Sequence, residues 1–447
     1  MISGLGKSFD RLARRFVPDP MVLAIFLTGL TFLLGVFWTG RGPLQMLDYW
    51  YQGFWDLLAF AMQMCLILLT GYALATAPPL RRILDALAAL PRGPVGAVWI
   101  VALTAILASL INWGLGLIAG ALMAREVGKV SLDRGLKVPY PILGAAGYMG
   151  LLVWHGGLSG SIPLLVATPD HFLQDSLGLI PTSQTLFTSF NLILLGTLTL
   201  VILGLLYFLI PKGEYTEPRD YRKLLEETKA QFSKEVSPQN FAQRLNRSPF
   251  ISSLLGLMGL AYTVYFFLHH GWEIDLNIMN FLFLALGLLL HGSVRSYGQA
   301  AAEGARACSG IIVQFPIYSG IMGMMQGAGL VQVMAATLLK FATAASYPIW
   351  AFLSAGLINL FIPSGGGQWA VQGPVMVEAA VALQASLPKT VLAVGYGESW
   401  TNMLQPFWAL ALLGITKLKA GEIIGYTSLV MLVTGVVFLL AFGLFPV

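Results

Sequence analysis

Six continuous apolar runs, at 21–39, 57–76, 186–210, 249–268, 277–291 and 423–445, constrain this 447-residue chain more than any other feature. Most come close to or exceed the ~20 residues that a helix needs to cross a bilayer; the run at 277–291 is shorter and open to extension at either end. None alternates apolar with polar residues, so a β-barrel is excluded, and helices remain as the way to satisfy the backbone in lipid. Only 11% of the residues are charged, against roughly 25% in a soluble domain. The sequence is therefore that of an all-α polytopic membrane protein, embedded in a lipid bilayer.

The formal charge of +5 would suit a nucleic-acid partner, but the charges sort by membrane side instead. With a cytoplasmic N-terminus, the alternate loops 1–20, 77–94, 125–139, 211–248, 292–307 and 416–421 hold 23 of the 26 Lys and Arg, leaving Arg41, Lys340 and Lys389 outside. Such asymmetry is the positive-inside signature and predicts a bacterial inner-membrane protein with its N-terminus in the cytoplasm. Lys7, Arg11, Arg14 and Arg15 resemble a signal n-region, yet Trp38-Thr39-Gly40-Arg41 is no small-residue cleavage site, so the first helix is expected to be retained. Residues 95–124 begin and end at cytoplasmic loops with only about 15 apolar residues on either side of Asn112. That is short for two full spans and predicts a re-entrant hairpin. Cys65 and Cys308 both fall in apolar runs, which speaks for buried thiols rather than a disulfide or zinc framework.

The same pattern returns at an offset of about 247 residues. Ser109-Leu110-Ile111-Asn112-Trp113 recurs as Gly356-Leu357-Ile358-Asn359-Leu360; the run 57–76 maps near 305–325, the short arm 80–90 near 330–340, and the span from 140 near that from 390. One extra helix between the halves turns the second copy upside down. The expected organisation is a cytoplasmic N-terminus (1–20), a membrane repeat (21–210) with hairpin 95–124 and broken helix 140–167, a cytoplasmic linker (211–248) and a connecting helix (249–268). An inverted repeat (277–447) follows, with hairpin 346–384 entering from outside and broken helix 390–415. The linker carries eight Lys/Arg and six Asp/Glu and reads as a solvated connector. Gly/Pro-interrupted segments at matching places in inverted halves point to a transporter's binding site.

Chemistry concentrates at these interruptions. Pro363, Ser364 and Gly365-Gly366-Gly367 force the backbone out of the helix at the second hairpin tip. Lipid tolerates that only beside protein or a watery cavity, and a second arm starting near Gly367 aims free N–H groups there, an arrangement that binds anions. Asn359, Ser364, Gly365, Gly366, Gly367 and Gln368 are the substrate-binding candidates at this tip, with Asn112, Trp113 and Gly114 as their counterparts at the first. Trp154 to Pro163 interrupts the helix from 140, adding Ser159 and Ser161 to the substrate set, and Gly395 to Pro406 interrupts its counterpart. Unwound carbonyls and side-chain oxygens there suit a co-transported cation. Glu398 is an ionisable group within a span, costly and usually functional. With Ser399, Asn402, Asn112 and Asn359 it forms the candidate coupling site, for sodium or a proton; no cofactor is called for. Glu378, on the second hairpin, can face solvent, and Arg125 with Glu126 reads as an interfacial pair. No Lys or Arg lies deep in a span, so a multiply charged substrate would lack a counter-charge, whereas one carboxylate is matched by helix N-termini, amides and one cation. Trp113, Phe361, Trp369, Trp400, Phe407 and Trp408 make the surroundings partly apolar. A small monocarboxylate is the expected substrate.

At these residues the chain resembles the bacterial short-chain fatty acid transporter family. The likeness runs nearly end to end, through Val17-Pro18-Asp19-Pro20, the block from Gly53-Phe54-Trp55-Asp56 to Met64, Ile111-Asn112-Trp113-Gly114, Pro363-Ser364-Gly365-Gly366-Gly367, and Tyr396-Gly397-Glu398 through Gln405-Pro406-Phe407-Trp408-Ala409-Leu410. Membership implies uptake of acids such as butyrate and acetoacetate, and a place in the wider ion-transporter superfamily. That superfamily implies a scaffold domain, a mobile domain with two hairpins moving as an elevator, homodimers, and often sodium coupling. His155 stands where relatives are expected to carry Gly.

Two other readings compete. Gly157-Leu158-Ser159-Gly160 matches a rhomboid-type serine nucleophile, but an intramembrane protease also needs a His on a facing span. His171, His269 and His270 are expected in outer loops, and His291 at the opposite membrane face. A passive anion channel differs from a carrier in showing neither saturation nor counterflow.

Overall fold

A computed structural model describes residues 20–210, 221, 240–360 and 362–445. The basic N-terminal segment, most of the linker and Phe361 lie outside the described residues. Among the described residues the structure is helices, turns and connecting segments, with no strand. The first half runs through α1 (Pro20–Trp38), α2 (Pro43–Gly53), α3 (Leu58–Thr76), α4 (Pro78–Ala88), the hairpin of α5 (Pro94–Ile111) and α6 (Trp113–Asp133), the broken pair α7 (Tyr140–Tyr148) and α8 (Ser161–Ala167), and α9 (Ser189–Leu209). After α10 (Pro249–His270), the second half repeats that order. It runs through α11 (Leu276–His291), α12 (Val294–Ala307), α13 (Ser309–Ala328), α14 (Leu330–Leu338), the hairpin of α15 (Tyr347–Asn359) and α16 (Gly365–Leu383), the broken pair α17 (Leu387–Thr401) and α18 (Pro406–Thr416), and α19 (Ala420–Leu444).

Local chemistry sets many of the boundaries. Pro43, Pro78, Pro94, Pro249 and Pro406 open their helices, where a missing N–H costs nothing and φ is already helical. Thr188, Asp275 and Ser293 cap α9, α11 and α12 with side-chain oxygens. Among the described residues six helices are long and apolar enough to cross a membrane, or up to eight if each of two bent pairs is one span. α7 with its trailing 3-10 turn bends by 41° against the segment ending in α8, and α12 bends by 45° against α13.

Packing exchanges partners between the halves. α1 packs on α13 as α11 packs on α3, α2 on α13 as α12 on α3, and α6 on α18 as α16 on α8; α9 and α19 pack on each other. Tyr221 of the linker is buried, and its hydroxyl donates to Glu422 Oε1 at 2.8 Å.

Three details differ from the sequence-based expectation. The arms of the first hairpin are 18 and 21 residues long, because the polar stretch to Asp133 stays helical, and α5 alone is long enough to cross. Length therefore does not establish re-entry. The hairpin's open ends do lie together, since Arg134 Nη1 donates to the carbonyls of Ala89 (2.7 Å) and Pro91 (3.0 Å). In the second broken helix the interruption is confined to Asn402–Gln405, and helix continues through Gly395 and Gly397. These glycines admit neighbours rather than break the helix: a Cβ on Gly397 would stand 2.3 Å from the carbonyl oxygen of Phe352. Finally, hairpins entering from opposite sides are expected to bring their tips together near the membrane midplane, whereas here the two tips are joined chiefly through the broken helices between them.

Candidate functional site

The second hairpin tip is built around a capped helix start. Ser364, in extended conformation, accepts from Gly367 N at 3.3 Å. The N–H groups of Gly365 and Gly366 precede the first intrahelical bonds of α16 and point out of its end. Gly365 lies against the first broken helix: a Cβ there would stand 2.7 Å from His155 Cε1 and 2.8 Å from both His155 Nε2 and Ser161 Oγ. Only glycine brings a helix N-terminus so close to those two side chains. Gly366 faces Phe60 of α3 and Phe315 of α13 in the same way, and these rings lie 5.7 Å apart.

His155 joins three elements. Its Nε2 is 3.0 Å from Ser161 Oγ, and its Nδ1 is 3.0 Å from Ser399 Oγ and 3.3 Å from Glu398 Oε2. All four side chains are essentially inaccessible. Neither oxygen of Glu398 makes a hydrogen bond within the protein. Asn359 Oδ1 and Gln368 Oε1 are also buried without a donor, although their nitrogens are engaged. Asn359 Nδ2 reaches the Glu398 carbonyl (3.0 Å), Thr401 Oγ1 (3.0 Å) and Asn402 Oδ1 (2.8 Å); Gln368 Nε2 reaches the Ala355 carbonyl (2.9 Å) and Gln372 Oε1 (2.8 Å). Acceptors outnumber donors here. Buried polar atoms are normally paired, and a buried carboxylate is costly unless neutralised, so this corner suits a proton or a cation. The adjoining corner, made of the α16 N-terminus and the Ser161–His155 pair, whose mutual hydrogen bond leaves the Ser161 proton to give when Nε2 is the donor, suits a carboxylate.

The structure thus brings together Ser161, Ser364, Gly365, Gly366 and Gly367, and sets Glu398, Ser399, Asn402, Asn359 and Gln368 beside them. The first hairpin tip is used differently. Asn112 caps α6 by accepting from Leu115 N (2.9 Å) and ties it to α3 by donating to the Ile67 carbonyl (3.1 Å). Gly114 packs on the α3 backbone at Leu68, and Ser159 Oγ accepts from Trp113 N at 2.8 Å. Asn112, Trp113, Gly114 and Ser159 therefore meet one another rather than Gly365. Glu378 is exposed, and Arg125 pairs with Glu126 at 2.8 Å. Trp400 faces away, donating to the Met431 carbonyl at 2.7 Å. Among the described residues no group of three His, Cys, Asp or Glu gathers as a metal site, and both cysteines are free and buried.

Sequence reasoning left His155 and Gln405 out of the substrate and coupling sets, and gave Phe60 and Phe315 no part in the site. His155 carried one signal, an ionisable ring inside an interrupted span. Gln405 Nε2 donates to the Asn359 carbonyl at 2.7 Å, closing the end of α15. Phe60 and Phe315 lay in plain apolar runs and had no local signal.

Comparisons with known proteins agree on one family. Residues 1–445 match the family described as short chain fatty acid transporter. A relative from Escherichia coli (strain K12) is 40% identical over the full length of both chains. One from Haemophilus influenzae is 36% identical, covering 98% of this chain and 99% of its own. Both carry the provisional name short-chain fatty acid transporter. Among solved structures, the Alcanivorax borkumensis YdaH transporter, described as having an unusual topology, superposes with a TM-score of 0.54 at 15% identity, covering 95% of this chain and 97% of that one. At that identity the likeness concerns the fold.

Proposed function

Because the chain belongs to the short-chain fatty acid transporter family, we propose that it is a secondary active carrier of small monocarboxylates such as butyrate and acetoacetate, coupled to a proton or to sodium. It is a multi-pass membrane protein, and its family and relatives are transporters, not enzymes. The order Ser161, His155, Glu398 does repeat the connectivity of a hydrolase triad, but in a transporter the same groups serve as binding groups. The observation that carries this proposal is that the α16 N-terminus and the Ser161–His155 pair adjoin Glu398, whose buried oxygens make no hydrogen bond and have His155 Nδ1 at 3.3 Å. A cation or proton beside Glu398 neutralises it and so removes its repulsion of a substrate carboxylate at the α16 N-terminus, and the cargo moved together, one carboxylate with one cation, is electroneutral. Phe60 and Phe315 flank Gly366 and suit a tail of a few carbons.

The reading extends to the whole molecule. The chain sits in the bacterial inner membrane with its N-terminus in the cytoplasm, as the distribution of Lys and Arg supports. Its halves are inverted repeats, and hairpins enter from opposite sides. Hairpins and broken helices form a mobile domain that moves as an elevator against a scaffold, in a homodimer. A cavity of about 490 Å³ behind the second hairpin, lined by Leu27, Leu34, Met334, Trp350, Ile358 and Val375 among others, leaves that hairpin room to open. Counterflow in proteoliposomes tests the carrier mechanism. Vesicles preloaded with unlabelled butyrate are expected to accumulate external labelled butyrate transiently above equilibrium, with a saturable initial rate. Linear, non-saturating flux without overshoot would instead identify a channel.

A further inference from the structure

At the first hairpin tip the imbalance is the reverse, with donors lacking acceptors. Trp113 opens α6, and its ring meets Trp154 at 5.7 Å between centroids. Trp154 in turn lies 3.8 Å from the ring of His155, so this pair is continuous with the site above. Both tryptophans are 4% exposed, and neither indole N–H has an acceptor in the protein. Buried indoles normally find one. Trp50 and Trp369 also lack acceptors, but no ring contact joins either of them to Trp154 or His155; Trp113 also meets the ring of Trp408, at 5.5 Å. Ser159 stands beside them, and because its oxygen accepts from Trp113 N, its own proton is free to be given.

These donors are neutral. The charge of a carboxylate is already met by the α16 N-terminus, Ser161 and His155, so a neutral carbonyl or hydroxyl oxygen is the acceptor that suits the indoles. Building on the proposed transport of short monocarboxylates, we propose that Trp113 and Trp154 form a subsite for a second oxygen on the substrate, so that the carrier favours 3-oxo and 3-hydroxy acids over unsubstituted acids of equal length. A site built to hydrogen-bond a substrate oxygen leaves its own buried donors unpaired when that oxygen is missing, which is a stronger source of discrimination than apolar fit.

The test uses the full-length protein in proteoliposomes, with uptake of butyrate, 3-hydroxybutyrate and 3-oxobutyrate measured side by side. Wild-type protein is expected to take the oxygenated acids with the higher affinity. Trp154→Phe and Trp113→Phe keep an aromatic ring but lose the five-membered ring that carries the N–H, so the butyrate control also reports the effect of the lost volume. Each should weaken affinity for the oxygenated acids by roughly five- to tenfold, the loss of one hydrogen bond, while butyrate stays within about twofold and reports on folding. A wild-type preference for butyrate overturns the subsite, as do equal losses for all three acids or no loss for any. Wild-type protein that carries none of the acids overturns the transport reading itself, a result distinct from each of these.

Discussion

Glu398 holds a fully buried carboxylate on α17 with no hydrogen-bond donor on either oxygen and His155 Nδ1 at 3.3 Å. Such a group needs a proton or a cation to be tolerable at that depth, which is the ground for proposing it as the coupling group. Glu398→Gln is expected to lower gradient-driven accumulation at least tenfold, a change of about 1.4 kcal/mol. If the group carries a proton, counterflow should survive, since exchange does not require the empty carrier to return. If it orders a cation with Ser399 and Asn402, the apparent ion requirement should rise instead. Wild-type accumulation, affinity and ion dependence in a well-folded variant would show that Glu398 merely bonds across helices. At this scale the sequence was informative wherever an ionisable or backbone-breaking residue stood alone in an apolar run, as with Glu398 and Gly365-Gly366-Gly367. It was less so for amides. Asn112 and Asn359 occupy matching positions, yet one is spent on capping α6 and bonding α3 while the other leaves its oxygen unpaired; composition does not distinguish those fates.

Each hairpin reads from its punctuation, Asn112 in the first and Leu360 to Ser364 in the second, because leaving a helix inside a membrane needs residues that can bear it. Glycine was the ambiguous signal. Gly365 opens a helix end toward His155, whereas Gly395 and Gly397 lie in unbroken helix and serve close packing. Hydropathy likewise understated α6, whose polar C-terminal stretch remains helical to Asp133. Re-entry of the first hairpin is accordingly proposed on the burial of Asn112 and Trp113 at its tip and on its joined ends rather than on length, although Ile111 beside them is exposed. With Cys65 and Cys308 replaced, single cysteines at Leu90 and Leu132, both exposed, are expected to react with an impermeant reagent from the cytoplasmic side only. A cysteine at Ile111, beside the tip, should react from neither side. Labelling of Ile111→Cys from the outside would mean that both arms cross the membrane fully.

For the molecule as a whole, each of the six apolar runs is helical, whereas α12 (Val294–Ala307) falls where the charge pattern suggested a cytoplasmic loop, because its amphipathic sequence carries no apolar run. What the runs could not give is how the halves meet. That depends on side chains far apart in sequence, such as the contact of Gly365 with His155 and Ser161, and no local pattern encodes it. These contacts set the α16 N-terminus, Ser161 and His155 beside Glu398, and on them rests the proposal that the cargo is a single carboxylate with one compensating cation. The most direct check on this account is initial-rate competition against labelled butyrate in reconstituted vesicles, with acetate, propionate, valerate, succinate and citrate as unlabelled competitors at equal concentration. The short monocarboxylates should compete at least tenfold better than the di- and tricarboxylates, a difference of about 1.4 kcal/mol, whereas succinate or citrate competing as well as propionate would contradict it.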